Sequence, residues 1–135
     1  MSTNNKYLEY FFNNFEKIFK DMEEGVKNNE WHFEYDDTSD ILYFLPFNQK
    51  VSQDSILVPA GNSEISARIG QKGIETIVVE GFGGFFVPEN PEFKLLYEKL
   101  TKKANIERDT LRRACVLLLS DFRYSNMSTQ LNSAF

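Results

Sequence analysis

The sequence predicts an α+β domain with an N-terminal amphipathic helix, an antiparallel sheet of five or six strands, and two C-terminal helices packed on that sheet. Two observations lead to this prediction. Apolar residues recur with helical spacing near both ends of the chain, and short β-prone segments separated by turn residues fill its middle. Strands grouped between helices are typical of antiparallel α+β sheets rather than of alternating βα units.

The first helix is predicted over residues 7–22, because its apolar residues repeat with a period of 3.6. Gly25 is expected to end it. The stripe that should pack on the sheet consists of Leu8, Phe11, Phe12, Phe15, Ile18, Phe19 and Met22.

The strands are predicted from β-branched and aromatic runs bounded by turn residues. Residues 31–35 and 41–45 flank an Asp/Thr/Ser turn and should form a hairpin. Residues 55–58, 65–69 and 74–79 supply further strands, of which 74–79 is the most β-prone and should be central. Residues 81–87 are interpreted as a glycine-interrupted strand that bulges or bends.

Two helices should follow. Asn90, Pro91 and Glu92 form a helix start, with a cap, a first-turn proline and an acid near the positive end of the dipole. A second helix should begin near Glu107, and its residues 114–119 are apolar all round, which predicts burial or an interface. The expected buried stripes are Phe93, Leu96, Leu100 and Ala104 in the first helix, and Leu111, Ala114, Cys115, Leu118 and Phe122 in the second.

The length of 135 residues fits one domain, 1–135, in which 1–6 and 125–135 are expected to be flexible. The single Cys115 excludes an internal disulfide. The sequence has no signal-peptide pattern and no run of 18 apolar residues. A soluble, cytoplasmic protein without membrane contact is therefore expected.

The net charge of −5 is unevenly distributed. Residues 1–93 carry 7 Lys/Arg against 16 Asp/Glu, a charge of −9, whereas residues 94–135 carry 8 against 4, a charge of +4. The acidic part indicates either a basic partner or only a well-solvated surface, and the sequence leaves both readings open.

Residue types that carry catalysis are sparse. His32 is the only histidine, and with one cysteine it lacks the spacing of a zinc site. The glycines of residues 81–84 lack the Gly-Lys-Ser/Thr of a phosphate loop. Glu34 and the aspartates that follow it lack the spacing of a calcium loop. We therefore expect no enzymatic activity, no catalytic residue, no metal and no cofactor.

The leading hypothesis is a non-enzymatic protein-binding module, of the inhibitor, immunity, antitoxin or dedicated chaperone type. An acidic hairpin tip and a partly exposed group of Phe side chains next to glycines would form its surface. Its partner would be another protein with a basic surface, and a homodimer is possible. The predicted protein-binding residues are Asp36, Asp37, Asp40, Phe82, Phe85 and Phe86.

Residues 85–122 offer an alternative. The run Phe85-Phe-Val-Pro-Glu, followed by residues 100–114, resembles the strand–helix–helix of ribbon-helix-helix regulators. That resemblance implies an obligate dimer whose paired strands enter the DNA major groove, but this strand has no Arg, Lys, Asn or Gln to meet base edges. The basic residues of such a nucleic-acid-binding protein would be Lys99, Lys102, Lys103, Arg108, Arg112 and Arg113.

A third class, a small-molecule binder or an enzyme, also stays open, because aromatic-lined cavities hold apolar ligands. Its signature would be a roomy pocket that encloses His32 or several carboxylates.

Overall fold

The structure is a computed structural model that describes residues 3–47, 54–59, 64–71 and 73–134. It has the predicted α+β arrangement. A π-helical turn, Phe82–Phe86, follows the last strand, and a 3₁₀ turn, Pro91–Phe93, precedes the fourth helix. The regular elements are α1 Thr3–Asn13, α2 Phe15–Lys27, β1 Trp31–Asp36, β2 Ile41–Pro46, β3 Ile56–Pro59, β4 Ile65–Gly70, β5 Gly73–Glu80, α3 Val87–Glu89, α4 Lys94–Thr101 and α5 Arg108–Ala134.

The N-terminal helix is interrupted once. Asn14 leaves the helical conformation, and its side-chain amide donates to the Tyr10 carbonyl oxygen at 3.0 Å, so α1 and α2 are separate helices. The predicted stripe is buried except for Leu8, which is half-buried, and Phe12, which is exposed. Gly25 does not end the helix, in contrast to the prediction. It lies inside α2, where a Cβ would come within 2.9 Å of Trp31 Nε1.

The sheet has the strand order β1-β2-β5-β4-β3, and every neighbouring pair is antiparallel. The predicted hairpin and the central position of β5 are both confirmed. Register pairs Phe44 with Ile77 and Leu42 with Val79, which places these four side chains on one face of the sheet. That face packs against the helices and forms the core, whereas Val78 lies on the opposite face.

The segment after β5 contradicts the sequence interpretation. Residues 81–87 are not a sixth strand, because the chain turns at Gly81 and closes the π-helical turn with the Phe86 N–H donating to the Gly81 carbonyl oxygen at 3.0 Å. The strand that a ribbon-helix-helix would require at this point is therefore absent, and its place is taken by this turn and α3.

The C-terminal helices follow the predicted pattern in most positions. Phe93, Leu96, Ala114, Cys115, Leu118 and Phe122 are buried, and Leu100 and Leu111 are half-buried. Ala104 is exposed, because α4 ends at Thr101 before reaching it. Within residues 114–119, the side chain of Val116 is 51% exposed, so this stretch is not buried all round. The backbone of α5 is helical through Ala134.

Arg123 connects helices α2 and α5. Arg123 of α5 is hydrogen-bonded to Glu16 and lies 3.8 Å from Glu23, both on α2, and its guanidinium carbon is 5.9 Å from the centre of the Phe19 ring. These contacts hold α2 against α5, whereas α1 packs on β4 and β5 of the sheet.

Candidate functional site

Two turns that are far apart in sequence are joined at one end of the sheet. Asp40, the last residue of the hairpin turn, accepts hydrogen bonds from the backbone N–H of Gly83 at 2.7 Å and of Gly84 at 3.0 Å. The Phe82 N–H donates to the backbone oxygen of Asp40 at 3.0 Å. Asp40 therefore satisfies the free N–H groups that begin the π-helical turn, as a capping side chain would.

A third donor completes this arrangement. The Tyr35 hydroxyl donates to Asp40 Oδ1 at 2.6 Å. Burial alone would raise the pKa of the Asp40 carboxyl, but the hydrogen bonds from Tyr35 and the two glycine amides outweigh burial and lower that pKa. Burial, followed by the hydrogen bond to Asp40, raises the pKa of Tyr35. The carboxylate and the phenol thus stay in the protonation states that the bonds require.

Glycine is required at two positions of the π-helical turn. Gly81 has a φ of 62°, and a Cβ on it would lie 2.7 Å from Phe85 Cδ2. A Cβ on Gly83 would lie 2.5 Å from the Tyr97 ring. The close approach of Phe85 and Tyr97 to the backbone defines the shape of the turn.

The turn divides the three phenylalanines that the sequence grouped together. Phe82 and Phe86 are 0% and 2% exposed and belong to the core, where both contact the Phe93 ring. Phe85 is 68% exposed, the most exposed of the large apolar side chains in residues 6–47, 54–59, 64–71 and 73–123. Only Phe85 of the three can therefore meet a partner without unfolding the core.

Carboxylates surround this end of the sheet. Asp36 accepts hydrogen bonds from the Thr38 and Ser39 N–H groups at 3.0 and 3.4 Å. A bond from the Ser39 side chain is the main cause that lowers the pKa of Asp36, despite the opposing effect of burial. Asp37 is exposed on the surface of the turn.

A further carboxylate, Glu80, lies on the same face of the sheet as Asp36. Asp36 pairs with Ile41, and Ile41 pairs with Glu80 on the next strand. The Asp36 and Glu80 side chains therefore point to the same face, two strands or about 10 Å apart. Among the described residues, neither they nor Asp37 form an ion pair. We call Asp36, Asp37, Glu80 and Phe85 the acidic tip.

The opposite end of the hairpin is concave and basic. His32 stacks on Phe47 with ring centroids 4.1 Å apart, and its Nε2 lies 3.1 Å from Glu34 Oε1. Both rings line a cavity that also includes Cys115 and the side chains of Arg108 and Arg112. We call this cavity the basic pocket. His32 thus faces one acid and two arginines rather than a pair of carboxylates.

The basic residues of the nucleic-acid alternative lie along the end of α4, the connection after it and the start of α5. Lys99 is half-buried, and the remaining five are exposed: Lys102, Lys103, Arg108, Arg112 and Arg113. Arg112 is turned toward the end of α2, where it donates to the Lys27 carbonyl oxygen at 3.4 Å.

Two kinds of feature are absent from the described chain. It contains no group of three or more His, Cys, Asp or Glu side chains placed to hold a metal ion. None of its helices is long and apolar enough to cross a membrane.

Sequence reasoning missed the roles of Tyr35 and Glu80. Tyr35 looks like any aromatic of a β-strand, and its bond to Asp40 depends on the hairpin register. Glu80 ends β5, and its proximity to Asp36 follows only from the pairing of β2 with β5. The basic pocket has a partial sequence signal, since Arg108 and Arg112 are four residues apart and so share one helix face.

Comparison with known proteins adds no assignment: the chain matches no protein-family model, no curated protein and no solved structure.

Proposed function

We propose that the protein is a non-enzymatic protein-binding module that contacts a basic partner protein through its acidic tip. Inhibitors, immunity proteins, antitoxins and dedicated chaperones are the classes that act in this way. The observation that carries the proposal is Phe85, a 68% exposed aromatic side chain on a turn that Asp40 holds in place. We expect this module to act in the cytoplasm.

A fixed aromatic side chain is suited to binding. Large aromatic residues supply much of the energy of protein interfaces when they enter a pocket on the partner. Binding is weakened by the entropy lost in ordering a contact loop. The backbone bonds from Phe82, Gly83 and Gly84 to Asp40 remove part of that loss before any partner arrives.

The charges next to Phe85 favour a basic partner. Asp36, Asp37 and Glu80 lie outside ion pairs within the described chain, so their field is not neutralised locally. Like charges gathered on one surface raise the association rate with an oppositely charged partner, and salt weakens this effect. The −9 charge of residues 1–93 acts in the same direction.

Asp40 supports binding rather than catalysis in this proposal. Both of its carboxylate oxygens accept hydrogen bonds from the protein itself, one from Tyr35 and Gly83 and the other from Gly84. A general acid or base must exchange its proton with a substrate. The Asp40 carboxylate is committed to the turn instead.

The test is co-purification from the native cell with the tagged protein and two variants of the acidic tip. Phe85→Ala removes the aromatic contact, and the triple variant Asp36→Asn, Asp37→Asn, Glu80→Gln removes three charges. We expect a stoichiometric protein with wild type, a loss of at least tenfold in its recovery with Phe85→Ala, and for the triple variant a weaker recovery that no longer depends on salt.

Two matched controls complete the test. Leu57→Ala removes an apolar side chain that is 49% exposed on the edge strand β3, and Glu9→Gln, Asp21→Asn, Glu24→Gln removes three exposed charges from α1 and α2. Both should retain the partner. Equal losses with the tip variants and with these controls would contradict the proposal.

In the nucleic-acid alternative, the basic residues of α4 and α5 would bind the phosphates. The strand that would contact the bases is not formed at residues 82–89. It predicts a dimer whose nucleic-acid affinity falls steeply with salt, because bound phosphates release counterions. A mobility shift at low salt that the double variant Lys102→Gln, Lys103→Gln abolishes would favour it over the acidic tip. A flat titration would remove it.

A further inference from the structure

The basic pocket lies where three elements meet. The end of α2, the start of β1 and the first turns of α5 line a hollow of about 190 Å³ that is open to solvent on one side, where Phe47 and Arg108 are exposed. Within the described chain its lining is mainly apolar, with four polar side chains: Val26, Trp31, Phe47, Ile106, Leu111 and Cys115, together with Asn29, His32, Arg108 and Arg112.

The formal charge of this lining is opposite to that of the protein. The chain has a net charge of −5, yet the lining residues include two arginines and no carboxylate, and the nearest acid named above, Glu34, is bonded to His32 Nε2 at 3.1 Å. Arg108 forms no ion pair with any described residue, and Arg112 has only the Lys27 carbonyl at 3.4 Å. Unpaired guanidinium groups at the wall of a cavity are the usual means of holding a carboxylate or phosphate.

The positive end of a long helix adds to this field. α5 begins at Arg108, and the Leu111 N–H is already bonded to the Glu107 oxygen at 3.0 Å. The N–H groups of the first three residues of α5 therefore have no partner within the helix. Of these three residues only Arg108 lines the pocket, so the partial positive charge of its N–H is the one that favours an anion there.

The size and the walls of the pocket define the uncharged part of the ligand. A cavity of about 150 Å³ accommodates benzene, so about 190 Å³ holds one six-membered ring with a short substituent. The flat His32–Phe47 stack, with planes 13° apart, is suited to lie against such a ring. A bare inorganic ion would leave the apolar walls unfilled.

We infer that the basic pocket binds a small organic anion, a single carboxylate on a ring-sized apolar body, with Arg108 as the residue that meets the charge. The apolar walls would hold the body and the guanidinium would hold the carboxylate. This site is separate from the acidic tip, so each can be tested without the other.

The experiment uses the fluorescence of Trp31, the only tryptophan of the chain, which itself lines the pocket. Phenylacetate is titrated into the full chain with excitation at the red edge of the tryptophan band. We expect a saturable change in emission. Phenylacetamide, which has the body without the charge, and sulfate, which has charge without the body, should each bind at least tenfold more weakly.

The variant Arg108→Gln should weaken phenylacetate at least tenfold, because a charge-assisted bond is lost. Arg113→Gln is the matched control, since Arg113 is also exposed but lines a different groove, between α4 and α5. Both positions lie on the surface of α5, so both variants should fold. Equal effects of the two substitutions, or no saturation with phenylacetate, would overturn the inference.

A carboxylate next to an aromatic ring also occurs at the end of a peptide that terminates in Phe. The volume of about 190 Å³ is filled by one ring and its carboxylate, so the rest of a peptide would lie outside the pocket, over the exposed side chains of Phe47, Arg108 and Arg112. An Ala-Ala-Phe peptide with a free carboxyl terminus should therefore bind more weakly than phenylacetate. Tighter binding of that peptide would overturn the assignment to a small molecule.

Discussion

The β1–β2 hairpin carries contrasting chemistry at its two ends. Five residue steps along β1, about 16 Å, separate the acidic tip from the basic pocket. At the tip the half-buried polar groups of Tyr35 and Asp40 are bonded to each other, and the apolar side chain of Phe85 faces outward. At the pocket, Nδ1 of His32 is buried without a partner in the described chain, and the apolar side chains line a hollow, buried at Val26 and Cys115 and 51% exposed at Phe47.

The two proposals assign two different kinds of recognition to one small sheet. A convex surface with an exposed aromatic ring fits a depression on a macromolecule. A concave surface with unpaired donors fits a small molecule that brings its own acceptors. The opposite signs of charge at the two ends keep ligands of one from competing at the other.

The largest expected effect concerns the inner wall of the basic pocket. Burial raises the pKa of the Cys115 thiol to about 12. Compared with the ordinary value of 9.0, the thiolate fraction at pH 8 falls roughly 1,000-fold. The thiol should therefore react with DTNB about that much more slowly in the folded chain than in urea. Fast reaction in the folded chain would mean that the inner wall is open and chemically reactive, which would contradict a closed, apolar wall at Cys115.

The next largest effect is the difference in stability between a core variant, Phe82→Ala, and a surface variant, Phe85→Ala. Phe82→Ala should lower the free energy of unfolding by about 3–5 kcal/mol, because it leaves a cavity beside Phe86 and Phe93. Phe85→Ala should change it by less than about 0.5 kcal/mol. Urea unfolding of the two variants measures both values. A large loss for Phe85→Ala would place that side chain in the core and remove it from the acidic tip.

Asp40→Ala should cost about 1–3 kcal/mol, because it leaves the Gly83 N–H and the Tyr35 hydroxyl without their acceptor. Since the pKa of Asp40 is lower in the folded than in the unfolded chain, its stabilisation is complete above its ordinary pKa of about 4. It is lost as the pH falls through the folded value.

Unfolding of wild type and Asp40→Asn between pH 3 and 7 checks this sign. The difference in free energy of unfolding between wild type and Asp40→Asn should be largest near neutral pH and should disappear as the pH falls. A gap that grows as the pH falls would contradict the role of the Asp40 carboxylate at the tip.

The smallest expected effect concerns Asp121, whose pKa is shifted in the opposite direction from that of Asp40. Burial, and then the charge of Glu92, raise the pKa of Asp121 on α5. A raised pKa means that the folded chain loses stability as the pH rises through this range. Asp121→Asn should therefore stabilise the protein at pH 7, by less than about 1 kcal/mol, and should have no effect below pH 3. Destabilisation at pH 7 would show that this carboxylate has a partner.

Local sequence patterns predict only part of the contrast between the acidic tip and the basic pocket. The hairpin, the central strand and most of the buried helix positions follow from local periodicity, so the sequence predicts them. The π-helical turn resembles a strand in sequence because its Phe residues favour strands, whereas its conformation depends on a positive φ at Gly81 and on capture by Asp40. The hydrogen bond from Gly83 to Asp40 joins residues 43 positions apart, so no local sequence pattern predicts it.

The candidate site is predictable in part for the same reason. Composition points to acids at the hairpin and to an aromatic side chain near the glycines, and the structure brings these segments together through Asp40. Which phenylalanine faces outward depends on the turn type, so the sequence groups Phe82 and Phe86 with Phe85. The pocket depends on the packing of α2, β1 and α5, which local sequence patterns do not specify.

The central claim is that partners meet the protein at Phe85, and cross-linking tests it most directly. A photoreactive phenylalanine analogue is placed at position 85 in one variant and at position 57, on the far edge strand, in another. We expect one discrete cross-linked protein from position 85, with a yield that falls as salt is raised, and none from position 57. Equal cross-linking from both positions, or a yield at position 85 that does not respond to salt, would contradict the claim.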